Sequence, residues 1–170
     1  MIIISNSGPL LSFARARRFD LLREVVGALT IPEAVYADIV VRGAGKLGAE
    51  DGQHAAWITR TRVSDRTFVD QLPQRLYLGE RKALALAQEL DGVLLIDERE
   101  ARRAAQQYGI AHFGSLRVLE EAKDRGLIPA VKPALDVLIA AGTFISEGLY
   151  RTFLRTMGEE ALPTPSGEQW

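Results

Sequence analysis

Two short apolar runs in this chain each end on a polar oxygen, Met1-Ile-Ile-Ile-Ser-Asn6 and Gly92-Val-Leu-Leu-Ile-Asp97. Unbroken apolar runs of this length predict strands covered on both faces, as in a parallel sheet. Around them the pattern changes period. Pro9 opens a helical stripe through Leu10, Leu11, Phe13 and Ala14, and Phe19, Leu21, Leu22, Val25 and Val26 form a second. Leu29-Thr-Ile31 predicts a short strand, followed by a helix from Pro32 to Val41 that Gly43 ends, because proline suits a first helical turn where no N–H partner is needed. Trp57 to Val63 alternates apolar and polar positions, the pattern of a half-exposed edge strand. Helices follow near 65–72 and 80–90, then the Gly92 strand, a helix from Glu98 to Tyr108, a last strand Ile110–Phe113 and a helix Leu116–Asp124. Two closing helical patterns occupy 133–141 and 146–157. Alternation of strand and helix predicts a three-layer α/β/α domain with a central parallel sheet and a C-terminal helical extension. It spans residues 1–157, and 158–170, with Leu162-Pro-Thr-Pro-Ser-Gly, reads as a flexible tail.

Composition narrows the class. At 170 residues, 47% apolar and 25% charged, the chain is long enough for one domain with a full core, and its charge balance argues against disorder. The absence of cysteine excludes disulfides, thiolate zinc sites and a cysteine nucleophile, and suits a reducing, cytoplasmic setting. No apolar stretch approaches the roughly 18 residues of a membrane span. The formal charge of -1 argues against nonspecific coating of long duplex DNA, while a local basic patch can still hold a short nucleic-acid segment.

In open α/β sheets, ligands bind beyond the carboxyl ends of the strands, where Asn6 and Asp97 fall, and Leu78-Gly-Glu80 opens the helix before the second run. Carboxylate and amide oxygens, with only His54 and His112 in the whole chain, suit hard cations such as Mg²⁺ or Mn²⁺ rather than zinc. Such ions hold phosphate oxygens, lower the pKa of water and neutralise charge as a phosphodiester breaks. The expected geometry has Asn6, Glu80 and Asp97 converging on one or two ions. Asp38 stands at the rim, off the Val35/Ile39 stripe that faces the core. Plainer roles compete. Asn6 equally suits a helix cap, Glu80 suits a helix N-terminus, Asp97 suits the cap of the helix carrying Arg99, Arg102 and Arg103, and Asp38 suits a solvated helix position. Arg15, Arg17 and Arg18 near the first strand, like Arg99, Arg102 and Arg103, are solvated faces unless they adjoin the site and position phosphates. Gly43-Ala-Gly-Lys-Leu-Gly48 matches a dinucleotide-binding GxGxxG with Asp65 at a ribose-contacting distance, but the helical style of Pro32-Glu33 before it and Gly52 after it favour a loop. Lys46 is followed by Leu47, which excludes a Walker A loop, and Ser115 lies in no nucleophile elbow.

The segments Ile4-Ser-Asn-Ser-Gly-Pro-Leu-Leu11, Ile31-Pro-Glu-Ala-Val-Tyr-Ala-Asp38, Leu78-Gly-Glu-Arg-Lys-Ala-Leu-Ala-Leu-Ala87, Leu94-Leu-Ile-Asp-Glu-Arg-Glu-Ala-Arg102 and Gly114-Ser115, in this order, resemble the PIN-domain family. The resemblance covers roughly residues 1–157 and is strongest to a prokaryotic subgroup with a Ser-Asn-Thr-Ser-Pro-like start. It implies a PIN-like fold and a metal-dependent ribonuclease, similar to the VapC-type toxins of toxin-antitoxin pairs. It places Asn6 where most members carry the first metal-binding Asp, Asp38 at the acid of the helix after the second strand, Glu80 at the central acid and Asp97 at the acid after the fourth strand. Ser5, Ser7, Arg99 and Ser115 fall beside that pocket as substrate-binding candidates. Asn6 is the departure, since an amide oxygen still coordinates a metal but removes one negative charge. The implied cofactor is Mg²⁺ or Mn²⁺. The implied partners are RNA and an antitoxin protein. The closing helices carry more apolar positions than one helix needs to dock on the core, at Leu135, Val137, Leu138, Ile139, Leu149, Tyr150, Phe153 and Leu154; either the two helices pack on each other, or part of this surface forms a homodimer or receives an antitoxin helix. The rival readings are a catalytically weakened PIN-like module that binds RNA or a regulatory partner, and more remotely a dinucleotide-binding protein.

Overall fold

The computed structural model describes residues 1–42 and 55–159. The GxGxxG match at 43–48 and His54 lie outside the described residues. Five strands form one parallel sheet: β1 (Ile3–Ser5), β2 (Leu29–Pro32), β3 (Ile58–Thr61), β4 (Val93–Leu95) and β5 (His112–Phe113). Their spatial order is β3-β2-β1-β4-β5. The chain thus winds outward from β1 in one direction through β2 and β3, then returns to the other side of β1 for β4 and β5. The reversal of strand order falls between β1 and β4, where an open α/β sheet leaves a crevice at its carboxyl edge.

Among the described residues the helices are α1 (Ser7–Arg15), α2 (Phe19–Val26), α3 (Glu33–Arg42), α4 (Arg66–Gln71), α5 (Leu78–Glu89), α6 (Arg99–Gln107), α7 (Ser115–Asp124), α8 (Val131–Ala140) and α9 (Glu147–Thr156). Helix α5 lies across β1, β2 and β4 and joins α3, α4 and α6, while α1, α2, α7 and α8 form a second connected group. Ile3, Ile4 and Ser5 of β1 and Leu94, Leu95 and Ile96 of and after β4 are all buried, as continuous apolar strands between two helical layers must be. Pro32 is the last residue of β2, paired in register with Thr61, rather than the first of α3. Its fixed φ serves either side of that junction, and a one-residue boundary turns on the criterion used. Trp57, just before the edge strand β3, packs its ring 5.0 Å from that of Phe19 and closes this side of the sheet.

Gly92, just before β4, has no room for a side chain. An added Cβ would lie 2.3 Å from Ile4 Cδ1 and 2.8 Å from the Ile2 carbonyl oxygen. The bare Cα lets β4 run close beside β1, in the register Ile3↔Val93, Ile4↔Leu94 and Ser5↔Leu95.

The two closing helices are fastened by polar groups as well as by Val131, Ala134, Leu135, Leu138 and Leu154. Tyr150 Oη donates to Asp136 Oδ1 at 2.6 Å, joining α9 to α8. Glu159, two residues past the boundary expected at 157, accepts from the Val131 and Lys132 backbone N–H groups at 2.9 and 3.0 Å and from Lys123 Nζ at 2.7 Å. Its carboxylate thereby caps α8 and ties it to α7. Residues 160–170, the rest of the expected tail, lie outside the described residues.

Burial acts to raise the Glu159 pKa, but the Lys123 hydrogen bond and the two backbone N–H groups outweigh it and hold the carboxyl below its usual 4.5. A carboxyl whose folded pKa is depressed stabilises the fold above its unfolded pKa, and that contribution is lost as pH falls through the lower folded value. Glu159→Gln should therefore cost about 1–3 kcal/mol at neutral pH. Its melting temperature should approach that of the parent on acidification below about pH 4.5. Thermal melts of both proteins across that range provide the check.

Candidate metal and phosphodiester site

Asn6 stands at the N-cap position of α1 in extended backbone conformation, yet its side chain makes no cap hydrogen bond. Its backbone N–H instead continues the β1–β4 ladder to the Leu95 carbonyl at 3.2 Å. The side-chain oxygen turns toward α5. An imagined Cβ on Gly79 would sit 3.8 Å from Asn6 Oδ1 and 4.0 Å from Asp38 Oδ2, with Val35 Cγ2 at 3.7 Å behind them. The missing side chain of Gly79, at the second position of α5, therefore leaves a small cradle that one amide oxygen and one carboxylate oxygen share.

Each acid is held by a different device. Asp38, half-buried on α3, accepts a 2.5 Å hydrogen bond from Ser7 Oγ. Glu80, buried on the first turn of α5, accepts from the Tyr77 backbone N–H at 3.1 Å, the reciprocal half of a capping box. Asp97 is not the cap of α6, whose N-cap is Glu98. It crosses to the N-terminus of α7 and accepts from Ser115 N at 2.7 Å and Ser115 Oγ at 2.6 Å. A carboxylate there gains from the partial positive charge of the helix end. Gly114 makes the approach possible, since a Cβ at that position would come within 2.8 Å of Asp97 Oδ1.

The expected site residues thus fall into two adjoining groups at the carboxyl edge of the sheet. Asn6, Asp38, Ser7 and Glu80 gather around the start of α5. Asp97 and Ser115 stand one strand over, at the end of β4. Asn6 and Asp97 follow neighbouring paired strands, as a shared site requires. Among the described residues no three of His, Cys, Asp and Glu stand close enough to ligate one ion together, so the acids do not form a closed triad. Ser5 is fully buried and donates to its neighbour's carbonyl, Asn6 O, at 2.8 Å, so its hydroxyl shapes the strand exit and has no surface to offer a substrate. The Ser7 and Ser115 hydroxyls likewise serve the acids, and Arg99 is exposed at the start of α6. Asp65 is the N-cap of α4, accepting from Phe68 N at 3.0 Å, and His112 is a strand residue bonded through Nδ1 to Ile110 O at 2.9 Å.

Sequence reasoning missed the roles of Gly79 and Gly114. Both lie inside motifs quoted above, but only the folded chain shows that a Gly114 side chain would strike Asp97 and that Gly79 faces Asn6 and Asp38.

The chain belongs to the PIN-domain family, whose family model matches residues 2–159. Among solved structures it is similar to a PilT N-terminus domain protein from the hyperthermophilic archaeon Sulfolobus solfataricus P2, with a TM-score of 0.50 at 12% identity, covering 86% of this chain and 98% of that one. At that identity the likeness is one of fold. No curated protein gives a significant sequence match. PIN domains are generally nucleases that use divalent metal ions.

The residues present fit such an ion in two respects: every donor is a hard oxygen, and the Gly79 cradle leaves Asn6 and Asp38 oxygens facing a space that a methyl group would fill. Mg²⁺ commonly rests on only one or two carboxylates and keeps several waters, so a closed triad is not required. Gly79→Ala should meet only ordinary van der Waals contacts. It should leave stability unchanged or raised by up to about 1 kcal/mol through helix propensity, while weakening Mn²⁺ binding. Calorimetric titration of Mn²⁺ alongside thermal melts tests this; unchanged affinity would remove the cradle from the site.

Proposed function

We propose that this chain is a Mg²⁺- or Mn²⁺-dependent endoribonuclease that hydrolyses RNA phosphodiester bonds, the toxin of a cytoplasmic toxin-antitoxin pair. The observation that carries the reading is the sharing of the Gly79 cradle by Asn6 and Asp38, one strand from the anchored Asp97. Asn6 and Asp38 would hold the ion directly, and Glu80 and Asp97 would reach it through its waters or hold a second ion; bound there, the metal would supply charge neutralisation at the phosphate and a more acidic water. Asn6 would complete the shell through Oδ1 or orient a water through its amide. Ser7 and Ser115 keep the Asp38 and Asp97 carboxylates aimed. Hydrolysis adds the water oxygen to phosphorus, breaks one P–O bond and passes the water's proton to the departing oxygen. Leu135, Leu138 and Leu154 are buried in the core, so an antitoxin or a second copy of the chain would meet Val137 and Ile139, each 37% exposed, and Phe144, 91% exposed.

One observation favours a second reading, a weakened module that binds RNA without cutting it. The strand-end position that most family members fill with an acid holds the neutral Asn6.

Incubation of purified protein with mixed RNAs should give cleavage with Mn²⁺ and none with chelator. Asp97→Asn should lower the rate on the order of a hundredfold. It should also cost about 1–3 kcal/mol, because Ser115 loses a charged acceptor, so rates are compared well below either melting temperature. Asn6→Asp should increase the Mn²⁺-induced rise in melting temperature and, with it, cleavage. Retained RNA binding with no cleavage by parent or Asn6→Asp would favour the second reading, and equal melting shifts would place Asn6 away from the ion.

A further inference from the structure

A cleft of about 450 Å³ opens directly off Asp97, between the β5–α7 corner and α9. That volume lies in the range of small-molecule sites, roughly 300–1,000 Å³. Its apolar wall includes Phe113, Leu116, Leu149 and Phe153, and Asp97 and Arg102 stand at its polar side. Both phenylalanines are only half-buried although they line the cleft, so part of each ring is open to an occupant.

The two arginines of the cleft differ. Arg117 is committed to Glu120 at 2.9 Å and Glu121 at 4.0 Å. The Arg102 guanidinium makes no ion pair or hydrogen bond among the described residues. Its Nη1 lies 3.4 Å from the point where a Gly114 Cβ would sit, and Asp97 Oδ1 lies 2.8 Å from that same point. A cation with no partner among the described residues therefore stands beside an acid whose two oxygens are already held by Ser115. This arrangement suits a phosphate, which takes charge-assisted hydrogen bonds from a guanidinium.

We propose that this cleft is the subsite for a nucleoside of single-stranded RNA next to the bond to be cut, with the base against Phe113 and Phe153 and an adjoining phosphate on Arg102. The assignment rests on the ribonuclease reading and adds to it the residues of this chain that would hold one nucleoside. A cleft that takes a base between apolar side chains requires that base to be unstacked, which single strands allow and A-form duplexes do not. An apolar protein segment would use the same wall but would have no use for a guanidinium next to Asp97.

Binding is tested apart from cleavage by holding the protein in chelator and titrating short fluorescent oligoribonucleotides. One is intact, one carries a central abasic site and one is pre-annealed as a duplex. The parent should prefer the intact single strand over the abasic and duplex forms. Phe153→Leu, which keeps apolar volume, should weaken the intact strand about fivefold to tenfold and leave the abasic one unchanged, because stacking is what it removes. Arg102→Gln should weaken intact and abasic strands alike and reduce the salt dependence. Equal binding of intact and abasic strands, no binding of either, or indifference to both substitutions would overturn the subsite and leave the cleft to a protein segment. If the pattern holds but no metal restores cleavage, the nuclease reading fails and the RNA site stands. If cleavage proceeds and the pattern is absent, the subsite alone falls.

Discussion

The parallel pairing of β1 with β4 is the contact on which the site depends. It joins the first residues of the chain to a segment about ninety positions later, and it sets the two strand ends side by side at the reversal of strand order. Its tolerance is small, because Ile4 and the Ile2 carbonyl occupy the space where a Gly92 side chain would go. A residue with a Cβ there would push β4 outward and carry Asp97 away from Asn6. Overpacking of this kind typically costs about 1–3 kcal/mol, and here the same displacement would also separate the two halves of the site.

The acids at that edge are held in place by the protein's own hydrogen bonds. Each is tied by a short local device: Ser7 on Asp38, the Tyr77 N–H on Glu80, and both donors of Ser115 on Asp97. Hydrogen bonds to an ionised carboxylate are stronger than those between neutral groups, and they fix orientation before any ligand arrives. They also occupy lone pairs, so an ion would meet acids that are aimed but partly engaged. Ser7 and Ser115, which the family resemblance implies as substrate contacts, are in space the supports of Asp38 and Asp97.

The fold is legible in the sequence to the extent that burial is uniform. Strands β1 and β4 announce themselves as apolar runs because both faces are covered, and α5 shows its stripe in Ala83, Leu84 and Ala87, all buried. The position of a strand within the sheet is not local information, and the order β3-β2-β1-β4-β5 follows only from which runs pair. The site divides in the same way. Asn6 and Asp97 stand out because each ends an apolar run, but the partner of Asp97 lies 18 residues away, at the start of α7 rather than α6. Local sequence offers a carboxylate two helix ends and cannot choose between them; the Gly114 contact chooses. Glu159 was invisible for a related reason. Its neighbours read as a polar tail, and only the folded chain presents it with the open N–H groups of α8 and the Lys123 ammonium.

The charge balance along the crevice bears on how such a site would engage a polyanion. Three carboxylates near the strand ends repel phosphate, and the neutral Asn6 reduces that repulsion relative to a fourth acid, at the expense of ion affinity. The compensation lies on the neighbouring wall, where Arg102 stands beside Asp97 while Arg117 is neutralised by Glu120 and Glu121. An ion at the proposed site and a guanidinium with no partner among the described residues would be complementary. In the proposed ribonuclease an RNA phosphate would gain from both, so ion and RNA would each raise the affinity for the other, by the same factor in both directions.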